Sequence, residues 1–445
     1  MGKFIQMKTA FPGPKSRELV ARKEKVVLDA LTLHAPVAIA EAHGALITDV
    51  DGNTYIDLTG GLGCLNVGHS APEVVGAVQD AASRFTHTDF SVMPYEPYVE
   101  LAERLIAKAP ISGPKKVGFF NAGAEAIENA IKIAKAYTGK KSVIAFEGAF
   151  HGLTLLTMSL TSKVKPYKKG FGPFAPDVHR LPYPNVYRKP YPQMSDEEYG
   201  RLLAQKLEEA FLTYVSPDET AAVILEPQQG EGGFIVPPKS FIQGIREITA
   251  RYKVLLIVDE IQTGYGRTGT FFGIEHFGVE PDLIAVAKSI AAGLPISGVI
   301  GRAEIMDAPG DSTIGGTYVG NPVACAAGNA VMEIMDRDDL TGRARHLGDL
   351  YRARFTAMAE KFKVIGDIRG LGAMIGVEFV KSRDTKEPAP DIVNKLMQRA
   401  MEKGVLTVKC GVYGNVLRIL APLVITDEQA NEALDVVEAV LGEVV

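Results

Sequence analysis

Short aliphatic runs, each closed by glycine, proline or a charge, recur through the middle of the chain at residues 116–120, 143–146, 222–225, 254–258, 283–286 and 298–300. Uninterrupted runs of this length read as strands buried on both faces, the kind that parallel sheets contain. Between them lie stretches whose apolar residues recur at three and four. Ile127, Ala130, Ile131, Ala134 and Tyr137 predict an amphipathic helix after 116–120, and Phe241, Ile245, Ile248 and Tyr252 another over 241–252. Further helices are predicted at 197–212 and, rich in small residues, at 323–335.

The pattern changes towards both ends. Residues 16–31 read as a polar helix, and ALITDVDGNTYIDL as a hairpin turning at Asp51-Gly52. GGLGCLNVGHSAP, 60–72, has enough glycine to be a loop whose backbone closely approaches something. Helices follow over 70–85 and 98–108. Residues 163–199, rich in proline, tyrosine and glycine, predict a long irregular excursion. After 335 come a helix (341–362), a strand (372–379), a helix (391–402), strands (405–408 and 416–420) and a last helix (427–441). The expected fold class is therefore α/β: a large, doubly wound, mostly parallel sheet domain over 70–330 and a small α+β domain over 331–445, with 1–69 packed against the small domain. No internal repeat is visible.

Composition narrows the function. The 445 residues are 46% hydrophobic and 23% charged, with net charge -5 and pI near 6.0. That balance offers nothing to nucleic acid or an anionic membrane surface. No run reaches the roughly 18 apolar residues of a membrane span. Cys64, Cys325 and Cys410 are far apart and form no CxxC, so neither a disulfide framework nor a zinc site is expected. The opening MGKFIQMKTAFPGP lacks the apolar core of a signal peptide and reads as a loose arm on a cytoplasmic protein.

Candidate chemistry collects where strands end. After 254–258 stand Asp259, Glu260 and Ile261; strand alternation puts Asp259 and Ile261 on one face and Glu260 on the other. Lys288 follows 283–286. An acid beside an aliphatic surface, with a lysine at a nearby strand end, suits a flat, cationic aromatic ring held covalently by an amine, and pyridoxal 5'-phosphate is such a ring. Gly264, Gly266 and Gly269 spell GxGxxG, but two acids precede them and TFFGIEHFG is a poor helix start, so a dinucleotide site is not expected. Gly123 and Ala124 open a helix straight from a strand, which is either an ordinary turn or a phosphate cup of free N–H groups. Phe150 closes another strand. Glu226 and Glu231 follow a third, in EPQQGEGGF.

The order of DVDGNTYIDL, NAGAEAIENAIKIA, FHG, EPQQGEGGF, DEIQTGYGRTG, AVAKSIAAGLP, GGTYVGNP and NVLRILAPL resembles the class III pyridoxal-phosphate aminotransferases, most closely their 4-aminobutyrate aminotransferase branch, across nearly the whole chain. The resemblance implies the fold type I of pyridoxal-phosphate enzymes. It makes Lys288 the covalent anchor and Asp259 the partner of the ring nitrogen. Ile261 and Phe150 sandwich the ring, with His151 beside it and Glu226 near it. Gln262 reaches the ring hydroxyl, Gly123 and Ala124 the phosphate, and Thr317 the phosphate of a neighbouring subunit, so the working unit is a homodimer. Leu62, Leu153, Glu231 and Arg418 fall on the substrate side.

The same resemblance implies ping-pong transfer of an amino group from an amine or amino acid to an oxo acid such as 2-oxoglutarate or pyruvate. Glu231 and Arg418 keep the family's releasable pair, but Leu153 stands where the family has a carboxylate-binding arginine. An aliphatic side chain cannot make that contact, so a less acidic donor is expected. A racemase or epimerase using the same lysine is the rival reading. A binding protein on a dead fold is not, since Lys288 and Asp259 are both present.

Overall fold

The computed structural model describes residues 2–445. Its centre is a seven-stranded sheet in the spatial order Lys115–Phe120, Ser297–Arg302, Leu283–Val286, Leu255–Asp259, Thr220–Leu225, Ser142–Phe146, Val178–Leu181. Ser297–Arg302 runs antiparallel to both neighbours; the pairings from Leu283–Val286 across to Val178–Leu181 are parallel. Period-two alternation divides each central strand between two layers. Ile257, Leu283, Ala285, Ala222 and Ile224 face helix Gly123–Thr138, whose Ala126, Ile127, Ala130, Ile131 and Ala134 are buried on them. Leu256, Val258, Ile284, Val286 and Leu225 face the other way, into the core that includes Phe241, Ile245 and Leu207. Each such aliphatic side chain contributes about 1.5–3 kcal/mol by leaving water. Helix Gly123–Thr138 stops at Gly139, which takes the left-handed φ of 69° that a side chain would resist. Tyr137, expected on its apolar stripe, is 43% exposed.

Both chain ends build the smaller part. Strands Ile39–His43, Leu46–Asp49 and Thr54–Asp57 form a meander, and Val405–Leu406 adds to its edge parallel to Thr54–Asp57. A second sheet has the order Ile365–Leu371, Met374–Phe379, Val416–Ile419, Val408–Cys410, antiparallel throughout. The expected strand 405–408 is thus two short strands in different sheets, parted at Thr407. The helix predicted over 16–31 is Pro14–Val26. Nor is the opening segment a loose arm. Phe4 and Ile5 donate their N–H groups to the Glu432 carboxylate, Lys8 and Thr9 theirs to Asn53 Oδ1, and Ile5 is buried. Among the described residues no helix is long and apolar enough to cross a membrane.

Candidate active site

The carboxyl ends of Leu255–Asp259, Leu283–Val286, Thr220–Leu225 and Ser142–Phe146 open into a cavity of about 620 Å³. Asp259 is its buried acid, 4% exposed. One carboxylate oxygen lies 2.7 Å from His151 Nδ1, and the other accepts the Ile261 N–H at 3.0 Å. The face assignment from strand alternation holds: Asp259 and Ile261 line the cavity, while Glu260 turns into the core and accepts from Gly273 N, Ile274 N and the Thr263 hydroxyl. Burial pushes the Glu260 carboxyl up to about 7. Lys288 lines the same cavity from a backbone at φ 47°, which for a non-glycine residue costs on the order of 1–2 kcal/mol. The next residue helps hold that turn, since Ser289 Oγ donates to the Gly63 carbonyl at 2.8 Å.

Around this centre the cavity gathers Gly123 and Ala124 from one helix start, Glu226 and Glu231 from one loop, and Phe150, Gln262, Leu62 and Arg418. The helix from Gly123 has no side-chain cap, so its first N–H groups are free to take an anion. A Cβ at Gly123 would stand 2.9 Å from Ile261 Cδ1, so any side chain here would displace the end of Ile261. Glu226 accepts from Phe150 N at 3.0 Å and from Gly230 N at 2.8 Å, joining two loops of the site. Burial raises its carboxyl well above the usual range.

Arg418 is buried in strand Val416–Ile419 and its Nη1 donates to Glu231, which also accepts from the Tyr167 hydroxyl at 3.2 Å. Burial alone would raise the Glu231 carboxyl, but the Arg418 guanidinium outweighs it and holds the acid below its ordinary value. The buried Nε of Arg418 has no partner. Such a guanidinium, held by one acid with a donor to spare, can exchange that acid for a substrate carboxylate.

Two expected site residues do not line the cavity. Leu153, 54% exposed, precedes the Thr154 cap of the short helix Leu155–Leu160 and faces outward. Its apolar character therefore does not set the polarity of the substrate chamber within one chain, and the expectation of a less acidic donor loses that basis. Thr317, expected at the phosphate of a neighbouring subunit and not at this chain's own cavity, is exposed in the loop before helix Pro322–Arg337. Conversely, Lys163, Tyr167, Cys64, Lys409 and Cys410 line the cavity without having been singled out for it. The glycines of the GxGxxG stretch carry no nucleotide turn: Gly266 packs on Met335 and Gly269 on Arg345. Between them the fully buried Arg267 donates to Ala421 O and Asn66 Oδ1.

The donor set fits pyridoxal 5'-phosphate. Two buried polar atoms that reach this cavity, His151 Nε2 and Gln262 Oε1, have no partner in the protein, and buried polar groups ordinarily have one. An uncapped helix end, a buried carboxylate and a primary amine complete the needs of an anionic, cationic-ringed aldehyde.

The class-III aminotransferase family model matches residues 29–441. The chain is 48% identical to a probable 4-aminobutyrate aminotransferase of Bacillus subtilis (strain 168), with 90% of this chain and 91% of that one covered. It is 42% identical to a 5-aminovalerate aminotransferase of Pseudomonas aeruginosa, with 96% and 98% covered. Among solved structures, an omega transaminase from Pseudomonas jessenii in complex with PMP superposes with a TM-score of 0.90 at 27% identity, over 95% of this chain and 97% of that one. These relatives do not favour a racemase or epimerase. With the match spanning nearly every element that builds the cavity, the chain belongs to the class-III aminotransferases and is a pyridoxal 5'-phosphate-dependent ω-aminotransferase.

Proposed function

We propose that this enzyme moves the terminal amino group of an ω-amino acid to an oxo acid in two half reactions on one cavity, as a cytoplasmic homodimer. The observation that carries the reading is the meeting, at one set of strand ends, of Lys288, the Asp259–His151 pair and the exchangeable Arg418–Glu231 pair. The named substrates of two relatives, 4-aminobutyrate and 5-aminovalerate, support the donor class.

When bound, pyridoxal phosphate supplies an electron sink for the charge left by removing a proton beside the amine. The chain does the rest. Asp259, kept buried by His151 and the Ile261 N–H, would hold a proton on the ring nitrogen of a bound cofactor, and Ile261 and Phe150 would pack against its ring. The free N–H groups at Gly123 and Ala124 fix a phosphate. Lys288 Nζ takes the proton from the amine-bearing carbon and returns it, as a positioned general base and acid. Arg418 stays with Glu231 while a donor lacking an α-carboxylate reacts, and turns to the α-carboxylate of an oxo acid such as 2-oxoglutarate or pyruvate in the second half. The exposed loop with Thr317 and the apolar groove between Ala81, Phe85 and Tyr95 support pairing of two subunits.

The test follows the visible absorbance of the holoenzyme. Given 5-aminovalerate alone, the band is expected to bleach and stay bleached until 2-oxoglutarate or pyruvate restores it. A persistent band with no aldehyde product would overturn the reading.

A further inference from the structure

Residues 149–152, which carry Phe150 and His151 into the cavity, lie beyond the ladder of strand Ser142–Phe146. Glu226 holds Phe150; the rest of this backbone is pinned by the two residues that follow the short helix Leu155–Leu160. Thr161 Oγ1 accepts the His151 N–H at 3.0 Å and donates to the Gly152 carbonyl at 2.9 Å, and Ser162 donates its N–H to the Ala149 carbonyl at 2.8 Å. One hydroxyl thus ties down the peptide groups on both sides of the His151–Gly152 pair. The conformation there is an uncommon one, with Gly152 at φ 127° and so closely packed that a Cβ on it would stand 2.7 Å from Thr157 Oγ1. Thr161 is itself anchored. Arg180, in edge strand Val178–Leu181, donates through Nη2 to the carbonyls of Ser159, Leu160 and Thr161 at 2.7, 3.0 and 3.1 Å, groups that a helix end leaves without partners of its own. Thr161 is fully buried and does not line the cavity, so it reaches the chemistry only through His151.

We propose that Thr161 is a positioning residue for the Asp259–His151 pair. The His151 imidazole stands 2.7 Å from Asp259 on a backbone whose course the Thr161 hydroxyl sets. Without that hydroxyl the buried His151 N–H and Gly152 carbonyl lose their partners, and buried backbone groups left unpaired turn towards new ones. The ring then moves off the carboxylate. A misplacement of about an ångström at a reacting site costs on the order of 100-fold in rate. The proposal rests on the reading of Asp259 as the acid that meets the cofactor's ring nitrogen, and adds what keeps that acid's own partner in place. Since the same acid serves both half reactions, the loss falls on kcat and not on KM for the amine.

The experiment compares wild type with Thr161→Ser, which keeps the hydroxyl, and Thr161→Val, which keeps the shape without it; His151→Gln is the control that removes the ring. In the apoenzyme the proton between His151 Nδ1 and Asp259 is followed as a downfield proton NMR signal, assigned by its absence in His151→Gln. In the holoenzyme the nitrogen-15 shift of ring-labelled pyridoxal phosphate reports whether that nitrogen is protonated, and this shift decides where the proton exchanges too fast to be seen. Thr161→Ser is expected to match wild type on both. Thr161→Val is expected to lose the proton signal, to move the nitrogen shift towards the unprotonated value and to lower kcat about 10–100-fold, with KM for 5-aminovalerate unchanged. A folded Thr161→Val with the wild-type nitrogen shift and proton signal would overturn the proposal, as would a Thr161→Ser that fails in the way Val does. Where Val yields no folded protein, Thr161→Ala, which also lacks the hydroxyl, is read by the same criteria. An Asp259→Asn variant that kept the wild-type nitrogen shift and kcat would overturn the reading of Asp259 itself, whatever the Thr161 variants show.

Discussion

Lys288 and Asp259 reach one cavity from two adjacent strands whose residues Asp259 and Ala285 pair in register. Among the described residues the other lysines lining the cavity are Lys163 and Lys409, and Glu260 points into the core, so neither neighbour takes the place of Lys288 or Asp259. Lys288→Ala is expected to purify without the visible band of covalently held pyridoxal phosphate and to lose amino transfer by about 10²–10⁴-fold or more. Asp259→Asn keeps the shape but not the charge, so it is expected to bind the cofactor yet fall by a similar factor. Absorbance spectra and a coupled oxo-acid assay read both. These residues were legible in the sequence because each sits within a short motif at a strand end. Lys163, Tyr167 and Lys409 were not: an irregular segment and a strand of the small sheet bring them in from afar, and nothing in their local spelling marks them. Leu153 shows the converse, since a motif fixes a position in the chain but not which way a side chain faces.

At the level of elements, the helix from Gly123 presses against Ile261 so closely that a Cβ would meet Ile261 Cδ1 at 2.9 Å. Gly123→Val is therefore expected to push the helix end off the strand end and weaken pyridoxal phosphate binding at least 10-fold, by fluorescence titration of the apoenzyme, with the fold kept by the rest of the buried stripe. The opening segment offers a second test. Glu432 accepts the N–H groups of both Phe4 and Ile5, so Glu432→Ala is expected to cost about 1–3 kcal/mol and to free residues 3–8 for rapid amide exchange. The central strands were readable because every residue of Thr220–Leu225, Leu255–Asp259 and Leu283–Val286 is buried, which demands unbroken aliphatic spelling. Val178–Leu181 was not. It forms the sheet's edge, three of its four residues are half-exposed, and His179 and Arg180 break the pattern. Ile365–Leu371 was missed for a related reason: two glycines and a chain of charges hide it, with Arg369 Nη1 bridging Asp367 at 2.8 Å and Glu378 at 2.6 Å.

For the molecule as a whole, Glu260 and Glu226 set a pH dependence. Burial holds Glu260 at about 7 in the folded protein against 4.5 ordinarily, and raises Glu226 likewise. The folded state thus binds more protons than the unfolded one in that window, so this contribution is full below about 4.5 and is lost as pH rises through about 7. His276, lowered by burial, works in the opposite sense as pH rises through its ordinary 6.5. Denaturant midpoints of wild type and Glu260→Gln between pH 5 and 8 separate the two. The wild type is expected to lose on the order of 1–3 kcal/mol more than the variant across that span. The clasp between Thr54–Asp57 and Val405–Leu406 has a consequence for synthesis. The first hairpin emerges from the ribosome with an open edge and must wait, while the whole central sheet is made, for the strand that closes it. A nascent chain stalled short of residue 405 would carry that edge bare, an invitation to pair with another copy.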